Sequence, residues 1–495
     1  MEQISKCSLF RIVEKIFLIA IIGIILLIIV SVFSDFDIRG VESNVIYSIQ
    51  LSLKDNSLLY QSPEKPQFNI TQYSPLYYVV NDILIGLLPI EITEAFKIRI
   101  VARLISIITL SFAFIYLKII LHRILNIDKR TSTIICLLFV IVSFPWYNIS
   151  RPDVLVLLFF VLSIYSILSY NTNNYNPKNA VLLGVFLSLG LLSKLTMAVF
   201  FVSFGLYMLI TRNWRLMLIS SASFIISSGV LYCLLLLLNY DLTYLYENIV
   251  SGVHNGYNIN DALKNTYIYF VNYYGVFFIV VILICINTLR VWKNIKHDTT
   301  FIFLTTITIT SFALAFLSAL KIGSAINYFN ETLLCMIILV VYILEKYYLN
   351  YRKIYLSCIM IFGIGIALNH AFLYLPIFKE EFYILKQNEK DISAIKEELD
   401  IHLKSYYLFS DSRRIAMLYP NSSILFPTDI HDLTFRLKVF NYSLLEKLIK
   451  NNELKYLIVY PDRKVLYGID INQKYTLIKK YTNYHLYELT SFSKE

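Results

Sequence analysis

Apolar runs of roughly 18 residues or more recur along the first 376 positions of this 495-residue chain, starting with IFLIAIIGIILLIIV from Ile16 to Val30. Runs of that length match the hydrocarbon thickness of a bilayer. Lipid offers no partner to an exposed peptide group, so each run has to satisfy its backbone internally. Unbroken apolar runs therefore mean helices, since barrel strands would alternate. Hydrophobic residues make up 57% of the chain, against roughly 45–50% for an ordinary soluble domain. The sequence thus predicts a polytopic α-helical membrane protein. No small-residue cleavage site follows the first run, which reads as a retained helix.

The pattern places about eleven membrane helices, near 15–33, 98–121, 131–149, 153–170, 179–193, 195–211, 215–239, 267–289, 299–320, 326–344 and 353–376. The basic loops support this register. Lys6, Arg11 and Lys15 precede the first helix, and Arg123, Lys129 and Arg130 follow the second. Lys178 follows the fourth, Arg212 and Arg215 the sixth, Arg290, Lys293 and Lys296 the eighth, and Lys346, Arg352 and Lys353 the tenth. All then fall on one side, which the positive-inside rule makes cytoplasmic. YSPLYYVVNDILIGLLPI at 73–90 is too short to span comfortably and carries Asn81 and Asp82. It reads as a juxtamembrane helix at the outer interface, with its tyrosines at headgroup level.

Two domains are expected: a transmembrane domain over 1–376 and a small external α/β domain over 377–495. KYLIVYPD and YTLIKKY in the second read as strands, and KEEFYILKQNEKDISAIKEELDIH as an amphipathic helix. External loops are expected at 34–97 and 240–266. The localisation that follows is a plasma (cytoplasmic) membrane, with the N-terminus inside and the C-terminal domain outside. The formal charge of +10 does not indicate nucleic acid, because the basic residues are spread over short loops. Five of the six cysteines lie in apolar runs, so no structural disulfide or metal cluster is expected.

The ionisable residues near the outer face are more informative. Asp35, Asp37 and Glu42 follow the first helix. Arg103 lies near the outer end of the second, and SRPD places Arg151 and Asp153 between two helices. Lys194 lies in a tight turn, and KIGSAINYFNE brings Lys321, Asn327, Tyr328 and Glu331 to the start of the tenth helix. Charges at membrane depth are costly and by default mark a site. Facing these acids, Arg103, Arg151, Lys194 and Lys321 would hold a phosphate at headgroup level while an acid transfers a proton nearby. Each residue also has a plain structural reading: a solvated rim, a snorkelling cation, a local pair at a helix start, or a cap.

The ordered set ESNVIYSIQLSL, LLYQSPEKPQFNITQYSPLYY, KIRIVARLIS, SRPDVLVLLFF, LGLLSKL and NYFNE resembles the GT-C-fold glycosyltransferases that use polyprenyl-phosphate sugars. The likeness is to the family of protein O-mannosyltransferases and lipid A aminoarabinose transferase, and it covers roughly residues 10–345. The resemblance implies a catalytic acid in the first external loop, matched by Glu42. Val41 stands where the family has an Asp, and Asp37 is the alternative. It also implies that Tyr73 and Tyr77 belong to the juxtamembrane motif, and that Arg103 and Lys194 serve the lipid phosphate.

The expected activity is inverting transfer of a monosaccharide from a polyprenyl-phosphate donor to a lipid, glycan or protein acceptor. Glu42 or Asp37 would be the base, and Arg103, Arg151, Asp153, Lys194, Tyr73, Tyr77, Lys321, Asn327 and Glu331 would bind the donor. No obligatory cofactor is expected, and a divalent metal is left open. A polymerase or ligase of lipid-linked oligosaccharides, or a transporter of lipid-linked sugars, is the alternative. Transporters usually carry repeats and mid-membrane charges, which this sequence lacks.

Overall fold

The computed structural model describes residues 2–35, 37, 42–172, 175–254, 256–269, 297–322, 324, 326–403, 406–427 and 429–490. In chain order the helices are α1 (Glu2–Val32), α2 (Glu42–Lys54), α3 (Leu76–Gly86), α4 (Ala95–Ile119), α5 (Lys129–Ser143), α6 (Asp153–Thr172), α7 (Pro177–Ser193), α8 (Ala198–Thr211), α9 (Trp214–Leu237), α10 (Leu245–Ile249), α11 (Ile259–Tyr267), α12 (Thr299–Ala319), α13 (Asn330–Tyr347) and α14 (Arg352–His402). Beyond them strands β1 (Tyr407–Ser410), β2 (Ser423–Ile424), β3 (Leu454–Val459), β4 (Val465–Leu466), β5 (Ile469–Asp470), β6 (Tyr475–Lys480) and β7 (His485–Leu489) alternate with short helices, the first being α15 (Arg413–Leu418).

Seven described helices are long and apolar enough to cross a membrane, and the chain is a multi-pass membrane protein. They fall at seven of the eleven predicted spans. Those at 131–149, 179–193 and 195–211 are shorter helices of 15, 17 and 14 residues. The predicted span at 267–289 lies, beyond Tyr269, outside the described residues.

Two compact units share the chain. The first comprises 1–33, 103–232 and 256–375. It is a helical bundle in which α6 packs on α7, α12 on α8 and α13, and α5 on α1 and α13. Helices α6 and α13 form its interior: 89% and 83% of their apolar windows are buried, against 17% for α9. Polar caps fix the helix starts. Asp128 accepts the Arg130 and Thr131 amides, Asn176 accepts the Lys178 amide ahead of Pro177, and Asp298 accepts the Thr300 and Phe301 amides. Gly184 lets α7 and α9 touch, since a Cβ there would lie 2.3 Å from the Ser220 carbonyl oxygen.

One predicted helix is cut short. α5 stops at Ser143, and Phe144 is extended at ψ 138°, because a proline disfavours helical backbone in the residue before it. The connection to α6 is therefore the whole of 144–152 rather than a tight turn at 150–152, and it buries Trp146 and Tyr147.

The second unit comprises 34–102, 233–255 and 376–495. Its five-stranded sheet has the order β2-β1-β3-β7-β6. β2, β1 and β3 are parallel, and β7 and β6 are antiparallel. Side chains alternate across β3. Tyr456 and Ile458 pack with Ile395, Leu399 and Leu403 from the end of α14. Leu457 and Val459 pack in the opposite core, which Phe68 of the 34–102 segment completes. Gln67 and Phe68 adopt left-handed backbone at φ 74° and 49°, and the Leu425 amide donates to the Gln67 carbonyl at 2.9 Å. Tyr47 of α2 stacks on Phe426 at 4.4 Å and donates to the Ser423 carbonyl. The segment 34–102 is thus part of the folding unit that contains the sheet.

A separate amphipathic helix after 376 is not what forms. Pro376 sits inside α14, which runs unbroken for 51 residues. A proline costs one backbone hydrogen bond, a loss that helices of membrane proteins commonly absorb.

Candidate functional site

In the helical bundle the ionisable residues gather around Asp153. Pro152 precedes it, and its carbonyl accepts the Leu155 and Val156 amides at 3.0 and 3.2 Å. Asp153 thereby opens α6 with its carboxylate inside the bundle, 6% exposed. One oxygen, Oδ1, accepts from Lys194 Nζ and from Asn327 Nδ2, each at 2.9 Å. The other, Oδ2, lies 3.2 Å from Arg151 Nε.

Lys194 arrives there because α7 breaks beneath it. Its backbone is extended, and its amide donates to the Gly190 carbonyl. A Cβ at Gly190 would meet Met197 Cγ at 2.7 Å, so the close turn needs glycine. Arg151 lies over the Trp146 ring at 5.4 Å, and Lys194 over the Tyr328 ring at 5.5 Å. Glu331, one turn beyond Asn327, accepts from Tyr147 Oη at 3.2 Å.

Arg151 and Lys194 stand with two acids, Asp153 and Glu331, in a low-dielectric setting. Lys321 adds a third cation near Lys194. Burial first, and the charge of Lys194 second, push its ammonium down to about 8. A small cavity of about 20 Å³ is lined by Asp153, Lys194, Thr196, Asn327, Tyr328 and Glu331, with apolar side chains of α6 and α8 beside them. The cations at its wall suit contact with an anionic group.

Arg103 belongs to the same unit but faces the end of α1. Its guanidinium donates to the Ser31 and Val32 carbonyls. It thus satisfies carbonyls that the last turn of a helix leaves open. Asn148 binds the Ser31 hydroxyl at 2.8 Å, tying the 144–152 connection to the same helix end.

The acids lie in the second unit. Glu42 is the first residue of α2 and fully buried. Asp37 caps that helix: Oδ1 accepts the Glu42 amide at 2.9 Å and Oδ2 the Ser43 amide at 3.0 Å. Oδ2 also accepts from Arg413 at 3.2 Å. Asp35 is held between Arg99, 3.1 Å from Oδ1, and Arg414, which pairs with Oδ2. Arg99 also reaches the Ser43 hydroxyl at 3.3 Å.

Tyr73 and Tyr77, read from the sequence as headgroup-level tyrosines, are 8% and 0% exposed. The Tyr73 carbonyl accepts from Tyr60, and the Tyr77 hydroxyl donates to the Ala102 carbonyl. The apolar surface of α3 falls on Ile83, Leu84 and Leu87 instead. On the same helix Asp82 is buried and accepts from Ser52 and, at 2.7 Å, from Tyr240. Burial pushes its carboxyl up to about 7.

Sequence reasoning missed Arg99, Tyr147, Arg413 and Arg414. Arg99 was within reach, because it lies four residues before Arg103 on one helix face. Pro145 signalled the break that frees Tyr147. Arg413 and Arg414 carried no local signal. Among the described residues, no group of three or more His, Cys, Asp or Glu side chains is placed to hold a metal ion.

Residues 85–239 match the family of dolichyl-phosphate-mannose-protein mannosyltransferases. No curated protein matches the chain. Among solved structures, ArnT from Cupriavidus metallidurans bound to undecaprenyl phosphate superposes with a TM-score of 0.64, covering 96% of this chain and 98% of that one at 10% identity. Its apo state gives 0.63. The archaeal oligosaccharyltransferase AglB from Archaeoglobus fulgidus, in complex with an inhibitory peptide and a dolichol-phosphate, gives 0.53 over 90% of this chain and 69% of that one, at 12% identity. The chain has the GT-C fold that ArnT and AglB share, and through residues 85–239 it resembles the dolichyl-phosphate-mannose-protein mannosyltransferases.

Proposed function

We propose that this protein transfers a monosaccharide from a polyprenyl-phosphate donor to an acceptor hydroxyl, with inversion, at the outer face of a cytoplasmic membrane. The observation that carries the reading is the cation-rich pocket around Asp153. Arg151 and Lys194 are held in place by one carboxylate and retain positive charge for an incoming phosphate. The likeness to a structure that holds undecaprenyl phosphate supports a donor of that class.

In this mechanism the acceptor oxygen attacks the anomeric carbon of the sugar. The bond from that carbon to the phosphate oxygen breaks, and the polyprenyl phosphate leaves with the bonding electrons. Its growing charge is stabilised by Arg151 and Lys194, with the Lys321 ammonium near Lys194. The acceptor proton passes to Glu42. Asp37 is assigned to holding α2, because both its oxygens already accept backbone amides. Arg103 is assigned to the end of α1 for the same kind of reason.

Transfer of labelled sugar from a synthetic polyprenyl-phosphate monosaccharide, in membranes carrying the protein, tests the reading. Glu42→Ala should lower the rate by roughly 10²–10⁴-fold. Wild-type rates in both Glu42→Ala and Asp37→Ala would remove the acid–base mechanism.

A further inference from the structure

The C-terminal sheet contains a site of its own kind. From β1 the chain crosses to β2 on one side, and from β2 it returns to β3 on the other side of β1. The gap beyond the ends of β1 and β3 is therefore a topological switch point, the place where open parallel sheets usually take a ligand. Asp411, just past β1, closes that gap. Its Oδ2 accepts the Tyr460 amide at 3.0 Å, and its Oδ1 pairs with Arg463 at 2.8 Å, both from the segment after β3.

The next two side chains beyond Ser412 are Arg413 and Arg414. Arg413 is braced by the Pro427 carbonyl at 3.1 Å and reaches Asp37 Oδ2. Arg414 pairs with Asp35 Oδ2. Their partners lie 376 and 379 residues away in the chain. Asp37 in turn binds the first two amides of α2, the helix that opens with Glu42. On the other side Arg99 holds Asp35 and Ser43. The acid-bearing loop is thus gripped from the sheet by two arginines and from α4 by a third.

We infer that Arg413 and Arg414 are positioning residues for the transfer reaction, and that the switch-point end of the C-terminal sheet clamps Asp35 and Asp37, which hold the start of the helix that carries the base. The sheet is then part of the catalytic apparatus. The inference rests on Glu42 being the base proposed above.

A base moved by an ångström loses rate without losing substrate affinity. Arg413→Ala and Arg414→Ala should each lower kcat by about 10–100-fold, with KM for donor and acceptor within about threefold of wild type. Arg413→Lys should recover part of the rate, since a lysine reaches one carboxylate oxygen but cannot also brace Pro427 through a guanidinium fork. Arg414→Lys, which keeps a positive charge beside Asp35, should likewise recover part of the rate. The full-length protein in detergent serves for all of these, with thermal midpoints measured alongside.

Wild-type kcat in both alanine variants would overturn the inference. So would a kcat loss that tracks the fall in thermal midpoint and is not recovered by the lysine variants. Glu42→Ala separates the two levels. Activity in that variant removes the base itself, whereas an inactive Glu42→Ala beside fully active Arg413→Ala and Arg414→Ala removes only the clamp.

Discussion

Around Asp153 three cations, Arg151, Lys194 and Lys321, stand with two acids, Asp153 and Glu331, whereas three arginines are paired with Asp35 and Asp37 ahead of Glu42. In the bundle, Arg151 and Lys194 share one carboxylate, and Lys321 stands close enough to Lys194 to feel its charge. In the sheet-bearing unit, Arg99 and Arg414 bracket Asp35, and Arg413 meets Asp37. The first arrangement gathers positive charge at fixed positions, as a site for an anion requires. The second is close to neutral, so its charges fix backbone geometry rather than attract a ligand. The difference teaches that buried charge has two uses in one chain, and that the ratio of signs separates them.

The comparison can be broken most severely at Asp153. Asp153→Ala leaves Arg151 and Lys194 buried without their carboxylate. It should cost on the order of 3–5 kcal/mol, seen as a large fall in membrane yield and thermal midpoint. An unchanged midpoint would mean that the two cations are not held by that carboxylate. Lys194→Ala comes next. It should raise the donor KM by roughly 10–100-fold, the range for one charged hydrogen bond of about 1.5–3 kcal/mol, and leave the thermal midpoint close to wild type. A kcat defect at unchanged KM would move Lys194 out of the donor site.

The smallest effect is a pH dependence. Lys321 is displaced downward, to about 8, by burial and by Lys194. It is therefore charged below that pH and loses its charge as pH rises through it. Donor KM should stay flat below pH 8 and rise above it, by no more than about tenfold per unit. Lys321→Arg, which keeps its charge, should hold KM flat to higher pH. A KM that rises identically in both proteins would assign the titration elsewhere.

The same contrast explains what could be read in advance. Membrane helices announce themselves by length and composition, so α1, α6, α9, α12 and α13 fall where the apolar runs do. Arg151 and Asp153 are two residues apart, and Lys194 sits in a break between two apolar helices, so the bundle's cluster had local signals. The clamp had none. Two arginines after an ordinary strand find their partners more than 370 residues earlier, and only the fold of the sheet against 34–102 brings them together. Asp37 looked like a spare base because its spacing from Glu42 does not reveal that it caps α2. The hydropathy drops near 377, where the second unit resumes, but it does not show that α14 runs unbroken through Pro376 to Ile395 and Leu399 of the sheet's core.

The proposed reaction divides its labour: the cations around Asp153 bind the lipid phosphate, and Glu42 performs the proton transfer. Binding of labelled polyprenyl phosphate to purified Glu42→Ala and Lys194→Ala, set beside sugar transfer by the same two proteins, tests it most directly. The account predicts wild-type binding with transfer abolished in Glu42→Ala, and binding weakened at least tenfold in Lys194→Ala. Full-affinity binding by Lys194→Ala, or lost binding with residual transfer in Glu42→Ala, would contradict it.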